Sequence, residues 1–436
     1  MSSSDSFSRR RLERDWRHLC AEIGERRAGS AAERQAADFI AAELRAAGCA
    51  AVRQETFPCT HLRQAEAEVH ARTVRGWRPI EAVALVGAPS TPAGRPIEGE
   101  PVWVDAPEGL SRLRPACFRG RIVVWFGPLP MTVAAHRRLV AARPAALVHI
   151  DDRLPFAWAK SDGVFPHWAR RYGMPPIVTV PYSVAWRWRR DGNVRLRLRV
   201  MTRHVTAESQ NVVAELPGTE PHLPALLISA HHDTQCGNPG ADDNASGVVC
   251  LLALARRLAT VRHRRALRFV SFGTEEQLSV GSAVFVRRHR PRPDQLGLVV
   301  NLDSVASPLG HLELWVAGVP ALAGHAARTL QRHDVDVRVR EEITPFADNF
   351  PLNCAGIPSL LLMRTNFPGG RWQHHSRHDT LENVSVAETQ RLLGALAPLV
   401  THLAARRAWP FPSLLPPAQL TEARKLGREY LGNGLF

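Results

Sequence analysis

From Asn211 onward the chain alternates short apolar runs with longer amphipathic stretches, and this rhythm restricts the fold more than any other feature. The runs Ala225–Ser229, Arg268–Phe272, Leu298–Leu302, Leu312–Val316 and Ser359–Met363 predict strands. Between and after them, Ala245–Leu258, Gly281–Arg288, Ala321–His333 and Val386–Ala405 have helical periodicity. Ser385, with Glu388 three residues on, forms a capping box that starts the last of these. Strand–helix alternation predicts an α/β fold with a mostly parallel central sheet flanked by helices. Ligands of such a sheet gather at the carboxyl ends of its strands.

The remaining chain reads differently. Leu12, Trp16, Leu19 and Ile23 form one helical stripe; Ala36, Phe39, Ile40 and Leu44 form another, with Ser30 as N-cap and Gly48 as stop. Val52–Phe57 reads as a strand. Residues 66–206 hold short β runs punctuated by Gly and Pro, with one helical stretch, Thr132–Ala142. At 436 residues the chain exceeds one ordinary core. The expected division is a discontinuous α/β domain, 1–65 and 207–408, an inserted β-rich domain, 66–206, and a tail, 409–436.

The net charge of +15 raises the question of nucleic acid or anionic lipid. All but two of the 56 basic side chains are arginines, the exceptions being Lys160 and Lys425, and they are scattered and interleaved with acids. No recognition-helix, zinc-finger or RNP-type pattern accompanies them, so a solvated basic surface is expected and no nucleic-acid partner. No run of 18 apolar residues is present, so no transmembrane segment is expected. The arginine-rich start lacks the apolar core of a signal peptide. The seven cysteines are an odd, scattered set without a Cys-x-x-Cys pair. They read as free thiols in a reducing compartment, which places the protein in the cytoplasm.

The chemistry sits just past the strand ends. There the chain reads His231-His232-Asp233, Asp242-Asp243-Asn244 before a helix, Glu275-Glu276, Asp303, and late on His374-His375-Ser376-Arg377-His378-Asp379-Thr380. Singly, each has an ordinary explanation: a hydrogen-bonded His/Asp pair, an N-cap, a solvated turn. Together they bring acids and imidazoles to one edge, where the acids repel one another unless cations are present. Carboxylate plus imidazole is the ligand set of zinc. Two His and three carboxylates, one of them bridging, give each of two ions three protein ligands and leave an open position. One Glu remains as a general base.

The order His-x-Asp, Gly-Ala-x-Asp-Asn-x-Ser-Gly, Glu-Glu, Asn-Leu-Asp and His-x-x-x-Asp-Thr resembles the M28 family of zinc exopeptidases, with Arg26–Ser30 included in the likeness. The 66–206 segment resembles a protease-associated domain. The resemblance implies His231 and Asp303 as ligands of one zinc, Glu276 and His375 of the other, and Asp243 as the bridge. It makes Glu275 the general base toward the attacking water and Asp233 the acid that orients His231. It also implies a cis bond at Asp243–Asn244. The sequence departs from the family at His374, where Tyr is common, at Ser376 in place of Thr, and at Asn349 after Asp348. His374 and His378 compete as ligands, and the spacing His375-x-x-x-Asp379 favours His375.

The expected function is therefore two-zinc hydrolysis of a peptide or small aminoacyl substrate, removing N-terminal residues. The rivals are a carboxypeptidase or dipeptidase, which would use Arg364 or Arg371 for a carboxylate, a one-metal glutaminyl cyclase, and a non-catalytic scaffold. The preferred side chain and the oligomeric state are not legible.

Overall fold

The computed structural model describes residues 7–73, 76–105, 115–163, 165–366 and 371–432. The chain divides into two compact units. The first comprises Met1–Cys59, Ala207–Thr234 and Asn238–Phe436; the second comprises Thr60–Thr206 with Gln235–Gly237.

The first unit is built on one sheet. Its strands run in the order Arg338–Arg340, His311–Ala317, Ser359–Thr365, Leu296–Leu302, Ala225–His231, Leu267–Phe272, then the end of Arg195–Leu216 that lies in this unit. The four strands from Ser359–Thr365 to Leu267–Phe272 are mutually parallel. Antiparallel neighbours follow on both sides, through His311–Ala317 and Val212–Leu216. Every residue of Ala225–His231 and Leu296–Leu302 is buried, as strands covered on both faces require. The mixed α/β architecture with a flanked central sheet is as expected.

The helices lie where periodicity puts them: Gly247–Leu258, Val280–His289, Pro320–Gln331 and Val386–Ala404. Leu12, Trp16, Ile40 and Leu44 share one core with Val248, Leu251 and Leu252 of Gly247–Leu258. Ser30 caps Ala31–Ala46 by accepting from Glu33 N at 3.0 Å. Ser385 accepts from Glu388 N at 3.2 Å. The return half of the expected capping box is replaced, because the Glu388 carboxylate goes to Arg364 and Arg391. The tail forms a helix, Pro417–Tyr430, whose Ala423 and Leu420 pack with Ile343, Phe350 and Cys354.

The second unit holds a five-stranded sheet, ordered Val83–Ala84, Ile177–Thr179, Ala146–Ile150, Ile122–Phe126, Val102–Asp105. Its last four strands are parallel. Helices cover it at Val133–Ala141, Pro166–Tyr172 and Tyr182–Asp191. A single helix was expected in this segment; the other two are short, and rich in the aromatic residues and Arg that blur helical periodicity. Trp168 and Trp188 nevertheless point inward from them.

Candidate metal centre

Parallel pairing in register brings the strand ends level. His231 pairs with Phe272, and Ser229 with Asn301. His231 thus ends its strand, Glu275-Glu276 form a short turn three residues past Phe272, and Asp303 directly follows Leu302. Asp243 lies in the turn Ala241–Ser246 ahead of helix Gly247–Leu258, and the Asp243–Asn244 bond is cis.

Asp243 is the hub. Its Oδ1 lies 3.2 Å from His231 Nε2. Its Oδ2 lies 2.9 Å from His374 Nε2 and 3.3 Å from His375 Nε2. Asp303 Oδ2 and Glu275 Oε2 are each 3.9 Å from His231 Nε2. Glu276 Oε2 is 3.0 Å from His375 Nε2. Among the described residues, donor atoms converge within 4.8 Å in two groups, His231–Asp243–Asp303 and Asp243–His374–His375. Six of the seven residues expected from the sequence are thereby brought to one edge, and His374 joins them. Neither group includes His378.

The surrounding layer fixes these positions. Asp233 accepts from Glu275 N at 2.8 Å and Glu276 N at 3.2 Å, so it holds the Glu-Glu turn. Its backbone carbonyl faces His231 Nδ1 at 3.2 Å, with the carboxylate at 3.6 Å. His231 Nδ1–H thus donates to main chain, and Nε2 is the nitrogen turned into the centre. Asp379 accepts from Asp242 N at 2.7 Å and Asp243 N at 3.0 Å. Arg26 donates to five carbonyls, those of Leu19, Gly24, His232, Pro239 and Gly240, and so ties two of the ligand-bearing segments together. Glu33 accepts from Ser209 Oγ at 2.7 Å and Gly29 N at 2.6 Å. Sequence reasoning assigned no role to Glu33 or Asp379, and the Arg26 motif was recognised without its function.

Arg371 also reaches the centre. Its Nη1 is 3.1 Å from Asp303 Oδ1 and its Nη2 is 3.2 Å from Asp243 Oδ2. Arg364 does not; its Nη2 donates to Glu388 at 2.9 Å.

The electrostatics are those of crowded acids. Burial pushes the Glu275 carboxyl well above the usual range; His231 pulls it back, while Asp348, Glu276 and Asp303 push it further up. Burial acts the same way on Asp243, yet Arg371 and the three histidines hold it well below the ordinary value. Burial disfavours a charged His375, but Glu276 and Asp243 raise its pKa to about 10. Burial pushes Asp348 to about 7, against the pull of His231. A dication would relieve this repulsion. His231 Nε2 is buried and makes no hydrogen bond among the described residues, although a carboxylate stands 3.2 Å away. Such an imidazole facing carboxylates is a donor set that fits a metal ion.

Residues 211–400 match peptidase family M28. The match covers less than half of the chain. An aminopeptidase from Pseudomonas aeruginosa is 30% identical over 134 residues, covering 30% of this chain and 25% of the relative. The chain spans a quarter or less of the length of the first curated relatives it matches. Among solved structures, a peptidase M28 precursor from Shewanella amazonensis superposes with TM-score 0.79 at 20% identity, over 95% of this chain and 97% of that one. A zinc aminopeptidase from Bacillus subtilis gives 0.73 at 19%, over 93% and 97%. At these identities the likeness is one of fold. The M28 match contains every expected ligand and Glu275.

Proposed function

We propose that the chain is a two-zinc aminopeptidase. The observation that bears most on this is the convergence of His231, Asp303, His375 and Glu276 around Asp243, with Glu275 beside His231. The M28 match and the aminopeptidases among the similar proteins favour the same reading.

In this reading His231, Asp243 and Asp303 hold one zinc, and Asp243, Glu276 and His375 hold the other. When bound, the ions supply Lewis acidity to the scissile carbonyl and lower the pKa of water. Glu275 takes the proton of the attacking water and returns it to the leaving amine. Burial first, and then Asp348, Glu276 and Asp303 against the pull of His231, raise the basicity of its carboxyl toward that task. Asp233 holds Glu275 and Glu276 by their N–H groups and keeps the tautomer of His231 through its carbonyl. Asp303, Glu275 and Glu276 give the site the negative character that a substrate ammonium needs. Thr60–Thr206 takes the part of a protease-associated-like insertion. None of the seven cysteines is in a disulfide, which favours a reducing, cytoplasmic setting. Among the described residues, no helix is long and apolar enough to cross a membrane.

Arg371 favours a second reading, action at a free carboxyl end, because its guanidinium stands at the centre, where zinc bound by Asp243 and Asp303 would free its fork for a substrate carboxylate. One experiment separates the two. Zinc-reconstituted protein is assayed on a free aminoacyl amide, its N-acetyl form and an N-blocked dipeptide. The aminopeptidase hydrolyses the first at least tenfold faster than the others; preference for the N-blocked dipeptide reverses the assignment.

A further inference from the structure

His374 is a departure from the family pattern, and its ring stands inside the centre. Its Nε2 is closer to Asp243 Oδ2, at 2.9 Å, than is the Nε2 of His375, at 3.3 Å. Consecutive side chains of extended backbone point to opposite sides, so two adjacent imidazoles reaching one oxygen need a backbone exception. His375 supplies it, with φ at 56°, in the left-handed region that non-glycine residues rarely occupy. The two rings stack with centroids 3.4 Å apart and planes at 25°. Nitrogens bound to one tetrahedral zinc at about 2.0–2.1 Å sit roughly 3.3 Å apart with converging lone pairs, so a shared ion requires the two near-parallel rings to turn out of the stack. Backbone in a sparsely populated region tends to persist where function requires it. Asp243, His374 and His375 are also a group whose donor atoms all lie within 4.8 Å, and Glu276 adjoins it through His375.

We propose that His374 is a ligand of the second zinc, so that Asp243, Glu276, His374 and His375 form a closed site while His231, Asp243 and Asp303 form an open one. This rests on the zinc reading of the centre. Four protein ligands are the pattern of a structural zinc, and three leave a position for substrate. The open site is the one beside Glu275, whose Oε2 is 3.9 Å from His231 Nε2. The two ions are then unequal: one anchors the loop that carries His374 and His375, and the other meets substrate.

The test uses the full chain, stripped with a chelator and titrated with cobalt(II), whose visible absorption is intense in four-coordinate sites and weak in six-coordinate ones. The wild type takes up two equivalents, the tighter with intense absorption. His374→Ala binds that equivalent at least tenfold more weakly and loses the intense band, whereas His378→Ala, in the same loop, matches the wild type. Wild-type affinity and spectrum in His374→Ala overturn the proposal. If that variant does not fold, the wild-type titration decides: weak absorption from both equivalents overturns the closed site. A wild type that binds one cobalt or none is a different failure, that of the two-zinc reading itself.

Discussion

Glu275 and Glu276 are neighbours in the chain and part company in space. Thr274 precedes them with φ at 55°, and Asp233 accepts from both N–H groups, so their side chains leave the turn in different directions. Glu275 goes toward His231 and accepts from Ser279 Oγ at 3.1 Å; Glu276 goes to His375. Under the proposed roles, Glu275→Gln keeps its shape and the Ser279 contact but can no longer accept a proton. We expect it to retain both zinc ions and lose about 10²-fold or more in kcat. Glu276→Gln should instead lose zinc. Elemental analysis beside kinetics checks both, and zinc loss confined to Glu275→Gln would reverse the pair. His231, Glu275, Glu276 and Asp303 were legible in the sequence because each follows an apolar run that announces a strand, and Asp243 because it precedes a helix. Arg371 and His374 were not placed, since the loop after Ser359–Thr365 has no periodicity, and where a side chain points there depends on its path.

Helix Gly247–Leu258 begins pressed against the strand ends that carry His231 and Asp303. A Cβ on Gly247 would stand 2.5 Å from both Leu302 O and Asn244 Oδ1, and 3.1 Å from the Ala230 Cβ. Asn244 itself donates to Leu302 O at 2.9 Å and accepts from Gly247 N at 3.0 Å, so no neighbour can yield without moving the edge. Gly247→Ala should cost roughly 1–3 kcal/mol by overpacking, and weaken zinc binding as well. Gly394 makes the contrast: it is exposed in helix Val386–Ala404, and an added Cβ meets nothing within 4 Å. Gly394→Ala should stabilise by about 0.4–1 kcal/mol with zinc binding unchanged. Denaturant melts of the two variants, with zinc titrations, check both signs. Apolar runs and helical stripes gave most elements to within two residues. Those missed have weak local signals. Arg338–Arg340 is a three-residue strand of largely exposed side chains, and Asn349–Cys354 is a six-residue helix with Pro351 inside. Ala50–Thr73 runs on as strand through Pro58 and a polar stretch, where sequence alone supports only Val52–Phe57.

At the scale of the molecule, the expected ligands all lie in the first unit, whereas most tryptophans lie in the second. Trp77, Trp103, Trp125, Trp158, Trp168, Trp186 and Trp188 fall within Thr60–Thr206; Trp16, Trp315, Trp372 and Trp409 belong to the first unit. The change of rhythm near residues 66 and 206 is visible in the sequence, where strand–helix alternation gives way to short punctuated runs. The internal order of its sheet could not, since parallel pairing is set by contacts far apart in sequence. This unequal distribution gives a test of whether the units unfold separately. Zinc that binds the native first unit stabilises it by mass action, about 2.7 kcal/mol at a free concentration one hundred times Kd. Bulk tryptophan fluorescence reports mainly the second unit, while calorimetry reports both. We expect two calorimetric transitions, one of which rises with zinc and falls on chelation, and a fluorescence midpoint that follows the other. A single transition that moves with zinc in both measurements would mean that the two units unfold as one.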